Sequence, residues 1–333
     1  MATPTMNAIS ELYEPLIGRD LEAIPAAVRR FRAQHSSAEL WSALARFAVL
    51  AYAPSQHLKH ALLAVHAASN LQPVLGDRFD ELLTECAIYA SGSRAPWSEP
   101  PISDPPPVES GQRTDLDELR EAVAARDRLR AERWLAARVA DDRCAGDLFS
   151  VATDDFEDFG HKLIVAVAVW RLAEHVPPGV RFAALRPAVW ELVSYDGPRY
   201  SEEGHLLDIE TLYSLLMDRC IAEQGSIESA HALFLLDAAI QASSITADPS
   251  IQRRVVDFIS RKSSGREAAA PAGSRSESQP PIYLLARDYA QYLKVFELAS
   301  RLRDFKTLPL EALLSAASFN LANAPSFEEW SFA

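Results

Sequence analysis

Three histidines stand at matching places in three apolar segments: His60-Ala-Leu-Leu-Ala-Val-His66, His161-Lys-Leu-Ile-Val-Ala-Val-Ala-Val-Trp170 and His231-Ala-Leu-Phe-Leu-Leu-Asp237. Imidazole titrates near neutrality and is a common ligand of transition metals. If the three segments pack around a pseudo-symmetric axis, His60, His161 and His231 converge. They would then serve as general acids or bases in an apolar cavity, or as ligands of one metal ion. Asp158, Asp237 and Asp288 are the carboxylates placed to orient a ring or complete the site. Iron, or another divalent ion held by His and carboxylate together, would open an oxygen-dependent reaction. The plainer account leaves each imidazole near the start of a helix, hydrogen-bonded to a neighbouring loop.

Spacing speaks against a local metal site. His60 and His66 lie about 240° apart around a helix. His161 and His175 share a face but are separated by about 21 Å along the axis. No His-Glu-x-x-His, Gly-rich phosphate loop or nucleophile elbow occurs in the chain, which sets aside metalloproteases, kinases, nicotinamide-binding folds and ordinary hydrolases. Trp170, Trp190 and Tyr195 are candidates to line an apolar substrate, although aromatics at helical spacing also serve as plain core. Arg199, after the Gly197-Pro198 turn, is placed to clamp an acidic ligand.

The elements that must carry these residues are helical. Apolar residues recur at i, i+3, i+4 and i+7 almost throughout, and no stretch alternates with period two for long. The expected fold is all-α, a compact multi-helix assembly of internally duplicated units. The first and third His segments agree at His60/His231, Ala61/Ala232, Leu62/Leu233, Ala67/Ala238 and Ala68/Ala239. Six prolines between Pro96 and Pro107 break the pattern, because each removes a backbone donor and clashes with the preceding turn. The expected division is a first helical unit over 1–92, a Pro-rich linker over 93–115, a second unit over 116–198 and a third over 199–262. A loop over 263–281, with no large apolar residue, and closing helices over 282–333 complete the chain. Pro15 with Gly18 is expected to stop the first helix, and the second His helix is expected to run from Phe156 to His175.

Of the 333 residues 48% are hydrophobic, and 33 Lys and Arg face 46 Asp and Glu, a formal charge of −13. Phosphate backbones are bound by basic side chains, so no nucleic-acid partner is expected. The longest apolar run, Leu163 to Trp170, is far short of the roughly 20 residues that span a bilayer. No basic, signal-like region opens the chain. A soluble cytoplasmic protein with no membrane partner is therefore expected. Cys86, Cys144 and Cys220 are widely spaced in apolar patterns and read as reduced core thiols.

Phe159-Gly-His161-Lys-Leu-Ile and Ser229-Ala-His231-Ala-Leu resemble two His-bearing helices of the questin oxidase-like family. They are also similar to the all-helical region that accompanies some Rieske iron–sulfur proteins, where a Gly-His pair opens an apolar helix ending in an aromatic-x-Leu segment. Trp170-Arg-Leu172 and Tyr292-Leu-Lys-Val-Phe-Glu-Leu298 fit that pattern, which covers about a third of the chain. The resemblance implies an oxidative step on an aromatic or polyketide-like metabolite, with a Rieske-type protein as electron donor. The chain itself has no Cys-x-His Rieske motif. The leading expectation is an oxygenase-type oxidoreductase acting on an apolar small metabolite between the His helices, with a redox or carrier protein as partner. The opposing one is a non-catalytic scaffold that docks a partner enzyme through an acidic helical surface.

Overall fold

The computed structural model describes residues 6–50, 52, 59–75, 79–93, 105–108, 111, 113–195, 197–201, 209, 212, 215–216 and 227–264. The fold is all-α, and no strand occurs among these residues. Among these residues five helices precede the proline-rich segment: α1 (Met6–Gly18), α2 (Ile24–Arg32), α3 (Ser37–Leu50), α4 (Lys59–Leu75) and α5 (Phe79–Ser93). Seven follow: α6 (Leu116–Ala124), α7 (Arg128–Arg138), α8 (Cys144–Ala152), α9 (His161–Ala173), α10 (Arg181–Ser194), α11 (Ile227–Thr246) and α12 (Pro249–Ser264). The expected closing helices over 282–333 lie outside the described residues, as does most of 202–226 in the expected third unit. Two compact units result: one formed by Met1–Pro101, Glu174–Val176 and Ser276–Ala333, the other by Ile102–Ala173 and Pro177–Arg275. Segments 116–198 and 199–262 thus share the second unit.

In the first unit, α4 packs on α3 and α5, and α1 and α2 pack on each other and on α5. Pro15 does not end α1. Leu12 and Leu16 are both buried, so the helix gives up one N–H donor and runs on to Gly18. Ser91 Oγ donates to the Leu16 carbonyl at 2.8 Å, one of the carbonyls that a helix end leaves without an intrahelical partner. Ser36 caps α3. Its Oγ accepts from Glu39 N–H (3.2 Å) while Glu39 Oε2 accepts from Ser36 N–H (2.8 Å), a reciprocal capping box.

In the second unit α9 is the central rod. Every residue from His161 to Ala173 except Arg171 is buried, because α8, α10 and α11 all pack on it. A helix apolar on all sides can sit only in a core. Each of its buried Leu, Ile and Val side chains contributes about 1.5–3 kcal/mol of transfer free energy. Asp115 and Asp127 cap α6 and α7, accepting from Glu118 N–H (2.8 Å) and Arg130 N–H (3.0 Å). The fully buried Trp134 donates its indole N–H to the Asp115 carbonyl at 3.0 Å. Cys86 and Cys144 are free, buried thiols, and burial pushes both up, Cys144 to about 12.

The three His segments do form helices, but the imidazole falls at different places. It is the second residue of α4, the first of α9 and the fifth of α11. No helix among the described residues is long and apolar enough to cross a membrane.

Candidate functional site

The second His helix does not begin at Phe156. Asp158, Phe159 and Gly160 form a 3-10 turn in which all three have positive φ (48°, 57° and 79°). Left-handed backbone is costly for residues with a Cβ, and Phe is among the least suited to it. The turn nevertheless forms because of what it allows. A Cβ on Gly160 would lie 2.7 Å from Leu235 Cδ1. Only glycine lets the backbone press this closely onto α11. Leu235 and His231 lie one turn apart on that helix, so seating Gly160 on Leu235 brings His161 to His231.

The two rings meet with centroids 4.9 Å apart and planes at 63°. Both residues are buried, 4% and 5% exposed. His161 Nδ1 lies 2.5 Å from the Asp158 carbonyl oxygen and 3.4 Å from its carboxylate. A carbonyl only accepts, so Nδ1 carries a proton in this contact. Phe159 lies tilted against His231 (5.0 Å), Phe234 closes another side (5.7 Å), and the Lys262 ammonium stands 5.7 Å over the Phe159 ring. Phe159 keeps 37% of its surface in solvent, which makes it the outer cover of a buried imidazole pair.

Two of the three candidate histidines therefore meet. His60 belongs to the first unit, and its side chain lies outside the described residues. Asp158 is beside His161 as expected. Asp237 is fully buried and accepts from Gln241 Nε2 at 2.7 Å, while Asp288 lies outside the described residues. Among the described residues no group of three His, Cys, Asp or Glu could hold a metal ion. His161, His231 and Asp158 therefore do not make up such a group.

The three candidate aromatics do not surround one space. Trp170 lies about two and a half turns along α9 from His161, edge-on to Phe149 at 6.2 Å and under the Arg181 guanidinium at 4.9 Å. Trp190 donates to Glu132 Oε1 at 2.5 Å and is flanked by Arg128 and Arg186. Tyr195 lies beside Lys162, the residue that follows His161 in the chain. Its hydroxyl donates to Glu191 Oε1 at 3.0 Å, and Lys162 Nζ is 5.0 Å from its ring. Burial, then the charges of Glu191 and Asp158, push its phenol far up.

Sequence reasoning missed Lys162. Fully buried, it donates to Asp155 Oδ2 at 2.6 Å. The signal was present: a lysine in an otherwise apolar run must find a carboxylate.

A cleft of about 300 Å³ lies elsewhere in this unit, lined by residues of α6, by Val151, by Asp154 and Asp155, and by Gly197 and Arg199. None of the candidate histidines or aromatics lines it. Its outer segment is well anchored. Tyr200 N–H donates to the Asp154 carbonyl at 2.7 Å, its ring packs on Phe156 and Phe258, and its hydroxyl donates to Asp257. Burial first, then the hydrogen bond to Asp257, raises the Tyr200 phenol to about 12. A phenol raised in the folded chain stabilises fully below its unfolded pKa, near 10, and that contribution is lost as the pH rises towards 12. Tyr200→Phe is accordingly expected to melt below the parent protein at pH 8, with the gap narrowing by pH 11. A gap that stays constant over that range would show that the phenol is not held neutral.

No family model, curated protein or solved structure matches the chain.

Proposed function

We propose that the protein is an oxygenase-type oxidoreductase acting on an apolar small metabolite, with His161 as general base and His231 as the ring that shares its proton. The observation that carries this reading is the buried contact between the two imidazoles, with His161 Nδ1 held by Asp158. Nε2 is then the ring atom that takes a proton from a phenolic O–H or an activated C–H of the substrate. Deprotonation leaves the electron pair on the substrate, and such electron-rich anions are the forms that dioxygen oxidises. The proton stays on the ring pair and returns to the reduced oxygen.

Strained, left-handed residues cluster at sites where the surrounding structure holds them for a purpose. A displaced Phe159 side chain would open the pair to solvent and to a flat aromatic substrate. The reading sets the protein in the cytoplasm, in keeping with the free thiols of Cys86 and Cys144.

The test is oxygen uptake by the purified full chain with a panel of hydroxylated bicyclic and tricyclic aromatics. His161→Gln is expected to lower the rate on an accepted substrate by about 10²–10⁴-fold, the usual worth of a positioned acid–base group. Nitrogen-15 NMR of the imidazoles is expected to show the Nδ1–H form of His161 in the resting protein. No uptake across the panel, with another polypeptide copurifying in fixed ratio, would instead fit a scaffold docking a redox or carrier protein.

A further inference from the structure

We infer that the cleft lined by Arg120, Val123, Val151, Asp154, Asp155 and Arg199 is a binding site for a small monocarboxylate with an apolar body, clamped by Arg199. The site is separate from the imidazole pair, and the inference does not depend on the function proposed for that pair.

The charges decide the ligand's sign. Asp154 is held by two guanidiniums, Arg120 Nε at 2.8 Å and Arg254 Nη1 at 3.3 Å. Asp155 takes the Lys162 ammonium at 2.6 Å. Glu121, also on the wall, takes Arg113 at 2.9 Å and Arg130 at 2.6 Å. Arg120 is itself engaged by Asp154 and, at 3.5 Å, by Asp117. Each carboxylate lining the cleft is thus compensated, whereas Arg199, exposed on its rim, has no carboxylate bonded to it among the described residues. A guanidinium presents parallel N–H donors that match a carboxylate in two hydrogen bonds.

One uncommitted cation beside three carboxylates suits a single negative charge. A phosphate dianion would bring a second charge towards Glu121, Asp154 and Asp155 with nothing left to meet it. The remaining wall is apolar, with Val123 and Val151 mostly buried beneath the opening and Ala124 at the end of α6. The volume of about 300 Å³ lies at the lower end of small-molecule sites, about 300–1,000 Å³. An aryl or short alkyl acid matches that size.

The clamp is also held in place. A Cβ on Gly197 would stand 2.0 Å from Glu157 Cγ, so the side-chain-free residue lets this segment lie close against 155–157. Beyond Arg199, the Tyr200 anchors and the Arg261 hydrogen bond to the Ser201 carbonyl (2.7 Å) fix the backbone. Binding then has to order the Arg199 side chain but not the backbone that carries it.

The experiment is a calorimetric or NMR titration of the full chain with 3-phenylpropanoate, with 3-phenylpropanamide and inorganic phosphate as comparisons. The acid is expected to bind at millimolar Kd or tighter, at least about tenfold better than the amide or phosphate. Arg199→Gln, at an exposed position, is expected to melt like the parent and to lose at least about tenfold in affinity for the acid. Ala124→Trp fills the cleft from an exposed position and keeps Arg199, and it is expected to abolish binding. Equal binding of acid and amide, equal binding by parent and Arg199→Gln, unimpaired binding by Ala124→Trp, or no binding of the acid by ~10 mM would each overturn the assignment.

Discussion

Gly160→Ala is expected to destabilise the second unit by about 2–5 kcal/mol. Two costs combine. A φ of 79° puts alanine in the left-handed region, worth about 1–2 kcal/mol. The new Cβ also stands 2.7 Å from Leu235 Cδ1 and 2.8 Å from its Cδ2, so α11 or the turn must shift, at about 1–3 kcal/mol. Thermal unfolding followed by circular dichroism should register a fall of roughly 2–4 °C for each kcal/mol. The two costs separate in a double-mutant cycle. Leu235→Ala is destabilising on its own, but it removes the clashing methyls, so Gly160→Ala should cost less in that background by about 1–3 kcal/mol. A melting temperature of Gly160→Ala within 1 °C of the parent, roughly the scatter of such measurements, would mean that the turn does not press on α11 as described.

The second large effect concerns the buried ammonium. Lys162→Met is expected to cost about 3–5 kcal/mol, because it leaves the carboxylate of Asp155 buried without its cation. The Nζ–Oδ2 distance is 2.6 Å, and the two side chains are 1% and 7% exposed, so solvent cannot take the lysine's place. Replacing both partners should be milder than replacing one. Lys162→Met with Asp155→Asn removes both charges and leaves an amide oxygen to accept from Glu157 N–H, the 3.2 Å bond that Asp155 Oδ1 now accepts. At least half of the lost stability should return in urea titrations. A double variant no more stable than Lys162→Met alone would assign the loss to packing rather than to the orphaned charge.

Much of the architecture is written in apolar periodicity. The Leu, Ala and Val rows of α6, α7, α8 and α10 announce helices, and aspartates cap α6 and α7 where the pattern restarts. Pro15 misled, since a proline stops a helix only when its lost hydrogen bond outweighs the burial gained beyond it. Here Leu16 gains enough. The repeated pattern made a meeting of His161 and His231 conditional on pseudo-symmetric packing, and the device that creates it was not foreseen. Asp-Phe-Gly reads as an unremarkable helix start, because left-handed geometry at Phe159 is imposed by α11, an element some 70 residues away. Periodicity carries no information about such distant demands. The partner of Lys162 was hidden for the same reason, being specified by folding rather than by neighbouring positions. Arg199 could be noticed beside a Gly-Pro turn, but which of the surrounding carboxylates are already engaged is visible only in three dimensions.

The seat of Gly160 on Leu235 also has a kinetic meaning. It joins chain positions about 75 apart, and closing a loop of that length costs about 4 kcal/mol of entropy before any contact repays it. Such a contact belongs to the later part of assembly, when α9 and α11 are already formed. Its strength then governs how long a folded molecule survives rather than how fast a new one arises, so the lifetime of the imidazole pair is set by the escape of one glycine from one leucine.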